Sequence, residues 1–306
     1  TRKSQGTGPI DKLDWDFLTL ESDPLPKILK KCQSAQSSKR SKFVDQHFRP
    51  NERSVNKDPH DTQLKYERWA RLSQLCDEER LFRDGIDADD VLQGSLGNCW
   101  FMGAIASIAW ARPECIRGLF SPACTRKECL ETGCFSMKIF NLNTQTWRWV
   151  VVDDYIPVDK NFRPVFSRGR DPNEIWVMLI EKCFAKLHGS YQSVRLYQYV
   201  CCCNILMLFW YQTDKVCCFV FDIQQMAGHS PFCLKIGPGI RALTGAHIEK
   251  VEPPNMSSAE ELWDRLIEAK SHRSIMECST RNSPATRRMG LVCYHAYSIV
   301  GLAELN

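Results

Sequence analysis

Residues 93–110 read Gln93-Gly-Ser-Leu-Gly-Asn-Cys-Trp-Phe-Met-Gly-Ala-Ile-Ala-Ser-Ile-Ala-Trp110. Gly94 and Gly97 mark a tight turn. The Ala-, Ser- and Ile-rich run behind it contains no breaker and predicts a buried helix that opens at Cys99. A thiol there meets unpaired N–H groups and the positive end of the helix dipole, and both favour a thiolate. Of the sixteen cysteines, Cys99 alone follows a Gly-containing turn and opens a clear helix. Two readings stand at this point: the nucleophile of a thiol enzyme, or a core thiol under Trp100, free Cys being usually buried.

A nucleophilic Cys needs a base and donors for the developing oxyanion. Gln93, just before the turn, supplies an amide donor at suitable spacing. Seven histidines compete for the base role. His47 and His60 fall in a basic, polar N-terminal stretch. His188 ends a helix, where a cation complements the dipole without doing chemistry. His295 lies in an alternating run, residues 291–302, beside the small Ala296 and Ser298. It is either a base reaching across a cleft or a hydrogen-bonded strand histidine.

Outward from these residues, 137–140 and 147–152 alternate like paired strands, with residues 141–143 as the turn. Residues 174–187 place Trp176, Leu179, Ile180, Cys183, Phe184 and Leu187 at helical spacing, and Gly189 stops the helix. Residues 65–79 predict a short helix. Residues 257–270 predict an amphipathic one, opened by Ser258 with Glu261 as a capping box. Residues 282–288, with Pro284, predict a loop. An acidic loop carries Asp84, Asp87, Asp89 and Asp90. Residues 196–236 are apolar and cysteine-rich without a period.

The 306 residues are 43% hydrophobic, with a net charge of +4. That supports a sizeable core and points away from a nucleic-acid binder. The apolar run 199–211 is too short for a membrane span and contains Asn204. Residues 1–14 show no signal-peptide pattern, and the chain opens at Thr1 as a fragment would. Adjacent thiols such as Cys201-Cys202-Cys203 suit reduced cysteines, so the expected location is cytoplasmic. Cys115, Cys124, Cys129 and Cys134 lack a Cys-x-x-Cys pair, and ordinary thiols are preferred over a zinc site. Between Lys27 and Lys57, nine basic residues stand against Asp45 and Glu52. This predicts a mobile basic arm, either simply solvated or contacting an acidic partner or membrane surface.

Residues 93–101 resemble the calpain active-site segment, Gln-Gly-x-x-Gly-Asp-Cys-Trp. Three further stretches match in order: Val151-Val-Asp-Asp154; Glu174-Ile-Trp with the helix Leu179-Ile-Glu-Lys-Cys-Phe-Ala-Lys-Leu-His-Gly-Ser-Tyr191; and His295-Ala-Tyr-Ser-Ile299. The resemblance implies an α+β, papain-like cysteine protease fold in two lobes. In that division, residues 1–60 are an extension, 61–195 the helical Cys lobe, 196–240 a family-unlike joint and 241–306 a strand-rich, incomplete His lobe. It implies a calcium-dependent cysteine endopeptidase acting on protein substrates, with Cys99 as nucleophile, His295 as base and Gln93 at the oxyanion. It also implies a calcium site of Asp90, Glu181 and the backbone oxygens of Arg83 and Gly85, oxygen ligands of the kind calcium takes.

The sequence departs from the family at four places. Asn98 stands where an Asp usually precedes the nucleophile, and Tyr294 where a Gly precedes the histidine. Residues 196–240 look like an insertion or translated non-coding sequence. The Asn-Pro-Trp-Gly-like motif with the third triad residue is not present, and Asn306 is not assigned that role. Two alternatives follow: an inactive calpain-like binding protein, or a transglutaminase-like thiol enzyme, against which the Leu179-Ile-Glu-Lys helix and the Gln93-Gly pair argue.

Overall fold

The computed structural model describes residues 22–35, 42–56, 64–142, 144–200, 218–222, 237–246, 259–279, 287–288, 290–292 and 295–303. The fold is α+β. Its elements, in chain order, are α1 (Leu25–Ala35), α2 (Glu52–Val55), β1 (Arg68–Arg71), α3 (Cys99–Ala111), α4 (Pro113–Leu119), α5 (Lys127–Thr132), β2 (Cys134–Asn141) and β3 (Thr146–Asp153). There follow β4 (Tyr155–Val158), α6 (Trp176–His188), α7 (Tyr191–Val200), β5 (Cys218–Asp222), α8 (Gly237–Thr244), α9 (Ala259–Ser271), β6 (Ile275–Ser279) and β7 (Ala296–Ser298). Among the described residues no helix is long and apolar enough to cross a membrane.

α3 and α6 form the centre. Trp100, Phe101, Ala104, Ile105 and Ile108 of α3 are buried, as is α6 from Trp176 to Lys186. Phe101 stacks on Phe184 with ring centroids 4.2 Å apart. Gly189 ends α6 in the left-handed conformation, at φ 92, where glycine meets no Cβ penalty. β2 and β3 form the expected antiparallel hairpin, in register from Cys134↔Asp153 to Asn141↔Thr146. β6 pairs parallel to β5 and antiparallel to β7, and this sheet lies against α3.

Two buried lysines one turn apart fasten α6 to its surroundings. The Lys182 ammonium donates to the Asp153 carboxylate, to Asp153 O at 3.0 Å and to Tyr155 O at 2.7 Å. Lys186 donates to Asp45 Oδ2 at 2.7 Å and Val151 O at 2.6 Å. A buried charge is tolerable only when paired and hydrogen-bonded in this way.

The Asp45 partner corrects the mobile-arm expectation. Leu25, Ile28, Leu29 and Cys32 form an apolar stripe on α1 and are buried, as are Phe43, Phe48 and Val55. The Phe43 N–H donates to Thr132 O at 2.8 Å, and the Asp45 N–H to Asp153 Oδ2 at 2.8 Å. The lysines 27, 30 and 31 are exposed on the other face of α1. Dense Lys and Ser hid a short amphipathic stripe. Residues 36–41 and 57–63, with Lys39, Arg40, Lys57 and His60, lie outside the described residues.

Residues 65–79 are not a helix. Arg68–Arg71 is a strand paired antiparallel to β4, followed by a 3₁₀ turn over Leu72–Gln74. The pairing edge of β4 and the Asp154 carboxylate, which takes the Arg71 guanidinium, override the local helical preference. α9 falls where expected, but Ser258 lies outside the described residues, as do residues 201–217, 223–236 and 280–286. The strand expected over 291–302 is confined to Ala296–Ser298.

Candidate active site

The turn before Cys99 is set by glycine. A Cβ on Gly94 would lie 2.0 Å from the Phe166 carbonyl oxygen, so no other residue fits without moving backbone. Gly97 has φ 73, in the left-handed region. The turn is stitched to residues 165–168: Ser95 N–H donates to Val165 O at 2.9 Å, and Leu92 and Arg168 exchange backbone bonds of 3.1 and 3.0 Å.

Asn98 closes the turn. Its backbone oxygen accepts from Phe101 and Met102 N–H and starts α3. Its side chain does not cap the helix; it turns inward and donates to Glu181 Oε1 at 2.8 Å. Glu181 Oε2 accepts from the Ser167 N–H at 2.9 Å and the Ser167 hydroxyl at 2.8 Å. Glu181 is therefore a strut joining α6, the Cys99 turn and residue 167. This corrects its expected role: both carboxylate oxygens are engaged in the core, and the side chain does not face the acidic loop as a calcium ligand.

Cys99 is the first residue of α3 and is 8% exposed. The backbone N–H groups of Ala296, Trp100 and Cys99 itself point at its sulfur. Burial nevertheless pushes the thiol up, and the nearby Glu277 carboxyl adds to the rise. The helix terminus expected to hold a thiolate is outweighed by desolvation. His295 immediately precedes β7 and is half-buried, and burial holds its imidazole below the ordinary range. Its ring stands edge-on to Tyr297 at 4.9 Å. The structure thus brings the His295 segment to Cys99 through Ala296. Ser298 Oγ donates to Gly103 O at 3.1 Å and holds β7 along α3. Gln93 is exposed on the turn, and Tyr294 lies outside the described residues.

The acidic loop gathers a different carboxylate from the one expected. Glu174, 1% exposed, accepts the Arg83 N–H on Oε1 at 2.8 Å. Burial pushes Glu174 up to about 7, with the charges of Asp90 and Asp171 contributing. Asp90 Oδ2 accepts the Asp87 N–H at 2.8 Å, and Asp90 O accepts the Arg170 N–H at 3.1 Å. Gly85, at φ 127, lets the chain double back between Arg83 and Asp87. Glu174 was missed although it opens the quoted Glu-Ile-Trp; its neighbours in space come from the bridge between Arg80 and Glu174.

Among the described residues no three His, Cys, Asp or Glu side chains converge as a metal-ligand set. The Cys124 and Cys129 thiols donate to Ser136 O at 3.3 Å and Cys134 O at 2.6 Å. Burial pushes Cys129 and Cys134 up, which keeps them protonated. Sequence reasoning also missed Glu277, which is completely buried in β6 behind Cys99.

A thiol at a helix start, with the strand that follows a histidine laid against the same helix, is the arrangement of a papain-like thiol peptidase. The family described as "Calpain family cysteine protease" matches residues 43–203 and 234–306. The chain belongs to the calpain family and carries its catalytic core. It is 37% identical over 161 residues to the calpain-type cysteine protease ADL1 of Oryza sativa subsp. japonica, a match covering 50% of this chain and 7% of that protein. Over 137 residues it is 36% identical to human calpain-12, covering 45% of this chain and 18% of that protein. Over 134 residues it is 35% identical to mouse calpain-5, covering 42% and 20%. The matched segments span a fifth or less of these relatives.

Proposed function

We propose that the chain is the core of a calcium-dependent cysteine endopeptidase that cleaves protein substrates. The observation carrying this reading is the convergence of the helix start at Cys99 with the chain at Ala296, next to His295. In the mechanism, His295 takes the Cys99 proton and the thiolate attacks the scissile carbonyl. The oxyanion is held by the Cys99 N–H and the Gln93 amide. His295 then gives its proton to the leaving amine, and water attacks the thioester to release the acid and regenerate the thiol. The helix carrying Cys99 and the sheet whose last strand follows His295 correspond to the two lobes of this reading.

For calcium, the donor set that fits is Asp90, Glu174 and the backbone oxygens of Arg83 and Gly85. A buried carboxyl kept up to about 7 by burial and neighbouring carboxylates is one that a cation would relieve. Calcium there would neutralise the pair and fix the acidic loop beside the nucleophile turn. Nine of the described cysteines are free thiols, which supports a reducing, cytoplasmic setting. The exposed lysines of α1 support contact with an acidic surface.

The test is calcium-dependent cleavage of casein by the chain, compared with Cys99→Ala and His295→Ala. Cleavage lost in both variants supports the reading; cleavage retained in Cys99→Ala overturns it. A second reading, a binding protein without activity, is favoured by the burial of Cys99, which suppresses ionisation of its thiol. It predicts casein binding without cleavage.

A further inference from the structure

Glu277 sits in the middle of β6, in register with Ser298 of β7 and Val220 of β5. It is 0% exposed, and neither carboxyl oxygen has a hydrogen-bond partner among the described residues. Strand alternation puts Glu277 on the face of Ala296 and Ser298, towards α3. A Cβ on Gly103 would lie 3.5 Å from both Glu277 Oε1 and the Ala296 Cβ, so the carboxyl rests on the one bare turn of α3 beside the nucleophile. The Ser107 hydroxyl lies alongside; it donates to Met276 O at 3.3 Å, and its polarity beside the carboxyl offsets only part of what burial does.

No cation among the described residues faces this carboxyl. α3, from Cys99 to Ala111, contains no charged side chain, and its one titratable group is the Cys99 thiol. His295 precedes β7, with its ring edge-on to Tyr297. Arg241, the charged residue of α8, is turned away and donates to Gln145. The acidic and basic residues of α9 belong to the other face of the sheet, where Leu262 and Leu266 pack on Met276 and Cys278. On β5, Asp222 is in register with Ser279, two positions further along. An ionised carboxylate in such a place is buried without a cationic partner among the described residues. Burial accordingly drives Glu277 well above the ordinary carboxyl range.

We propose that Glu277 is a positioning residue for Cys99: as a neutral acid it seats the β6–β7 sheet on α3, and as an anion it loosens that seat and opposes the Cys99 thiolate. Its role in the reaction rests on the nucleophile assignment above, whereas its effect on the sheet does not. An acid raised in the folded state holds its proton above the value at which the unfolded chain loses it. The stabilising contribution is complete below about pH 4.3, the unfolded value, and is lost as pH rises through the folded one.

Two readouts on the 306-residue chain test this, thermal unfolding across pH and alkylation of Cys99 followed by peptide mass. Glu277→Gln keeps the shape and cannot ionise. Its melting temperature should match the parent near about pH 4 and exceed it increasingly towards about pH 8. Its Cys99 alkylation rate in the alkaline range should rise at a lower pH than the parent's. Parallel melting curves across the whole range would overturn the proposal, as would unchanged alkylation profiles. If Glu277→Gln does not fold, Glu277→Met, of similar volume, carries the same comparison. Failure of the nucleophile assignment shows separately, as casein cleavage surviving Cys99→Ala.

Discussion

The Asn98 amide donates to Glu181 Oε1 at 2.8 Å directly beneath the turn that presents Cys99. The bond explains how asparagine serves at a position where the family pattern has aspartate: an amide can donate to a buried carboxylate, whereas a second carboxylate would have to hold a proton. Asn98→Asp should therefore destabilise the chain, and the loss should grow as pH rises through the carboxyl range. Charge-assisted hydrogen bonds of this kind contribute about 1.5–3 kcal/mol. Urea unfolding at several pH values measures it, and a pH-independent loss would contradict the account.

Calcium should raise the melting temperature of the chain, because a ligand selective for the folded state stabilises it by mass action. Asp90→Ala and Glu174→Gln should each remove most of that shift. Glu181→Gln should lower the melting temperature without calcium and leave the shift itself intact. Differential scanning fluorimetry separates these outcomes, and loss of the shift in Glu181→Gln would return Glu181 to the ion.

Cys99 should be alkylated by iodoacetamide more slowly at neutral pH in the folded chain than after unfolding. Burial has raised its thiol, so the thiolate fraction grows only as pH rises into the alkaline range. Peptide mass spectrometry after timed labelling reads the rate. Rapid labelling at neutral pH in the folded chain would mean that the thiolate is already formed.

His188 is held down to about 4 by burial, although it ends α6 where a cation would complement the helix dipole. A base depressed on folding takes up protons on unfolding, so stability is lost as pH falls from about 6.5, the unfolded value, through about 4. His188→Phe should flatten that part of the stability profile. Circular dichroism melts at steps between these pH values are sufficient, and an unaltered slope would count against it.

Gly94→Ala should be among the costliest single changes, because the new methyl would land 2.0 Å from a backbone oxygen. Overpacking typically costs about 1–3 kcal/mol, and here the obstacle is main chain rather than a side chain that can turn away. Reduced stability with any peptidase activity abolished is expected, and a variant with unchanged melting temperature would show that the turn can relax.

The central part of the fold is legible in the sequence because local pattern and tertiary demand agree there. The breaker-free run after Gly97 becomes α3, the alternation around residues 141–143 becomes the β2–β3 hairpin, and the Trp176–Leu187 stripe becomes α6. Elsewhere they diverge. Arg68–Arg71 follows the edge of β4 rather than its own helical preference, and α1 docks by four apolar residues among lysines. At the site, Cys99 and His295 are visible as residue types in suggestive places. That Glu174 rather than Glu181 stands at the acidic loop is not, because two glutamates seven residues apart differ only in what each meets in space. Glu277 gives no sequence signal, since nothing in an isolated strand reveals that its carboxyl lands on a glycine.

α6 has a further consequence. Glu174, just ahead of its first turn, holds the Arg83 backbone; Glu181 holds the Asn98 amide; Lys182 and Lys186 clamp the shaft to β3 and to Asp45. Trp176, two residues past Glu174, and Glu181 are separated by about 7.5 Å of axial rise along an unbroken helix. The helix therefore ties the acidic loop to the nucleophile turn through one stiff element. Cutting either lysine clamp would slacken both ends at once, the carboxylate that holds the Arg83 backbone and the one that holds the Asn98 amide.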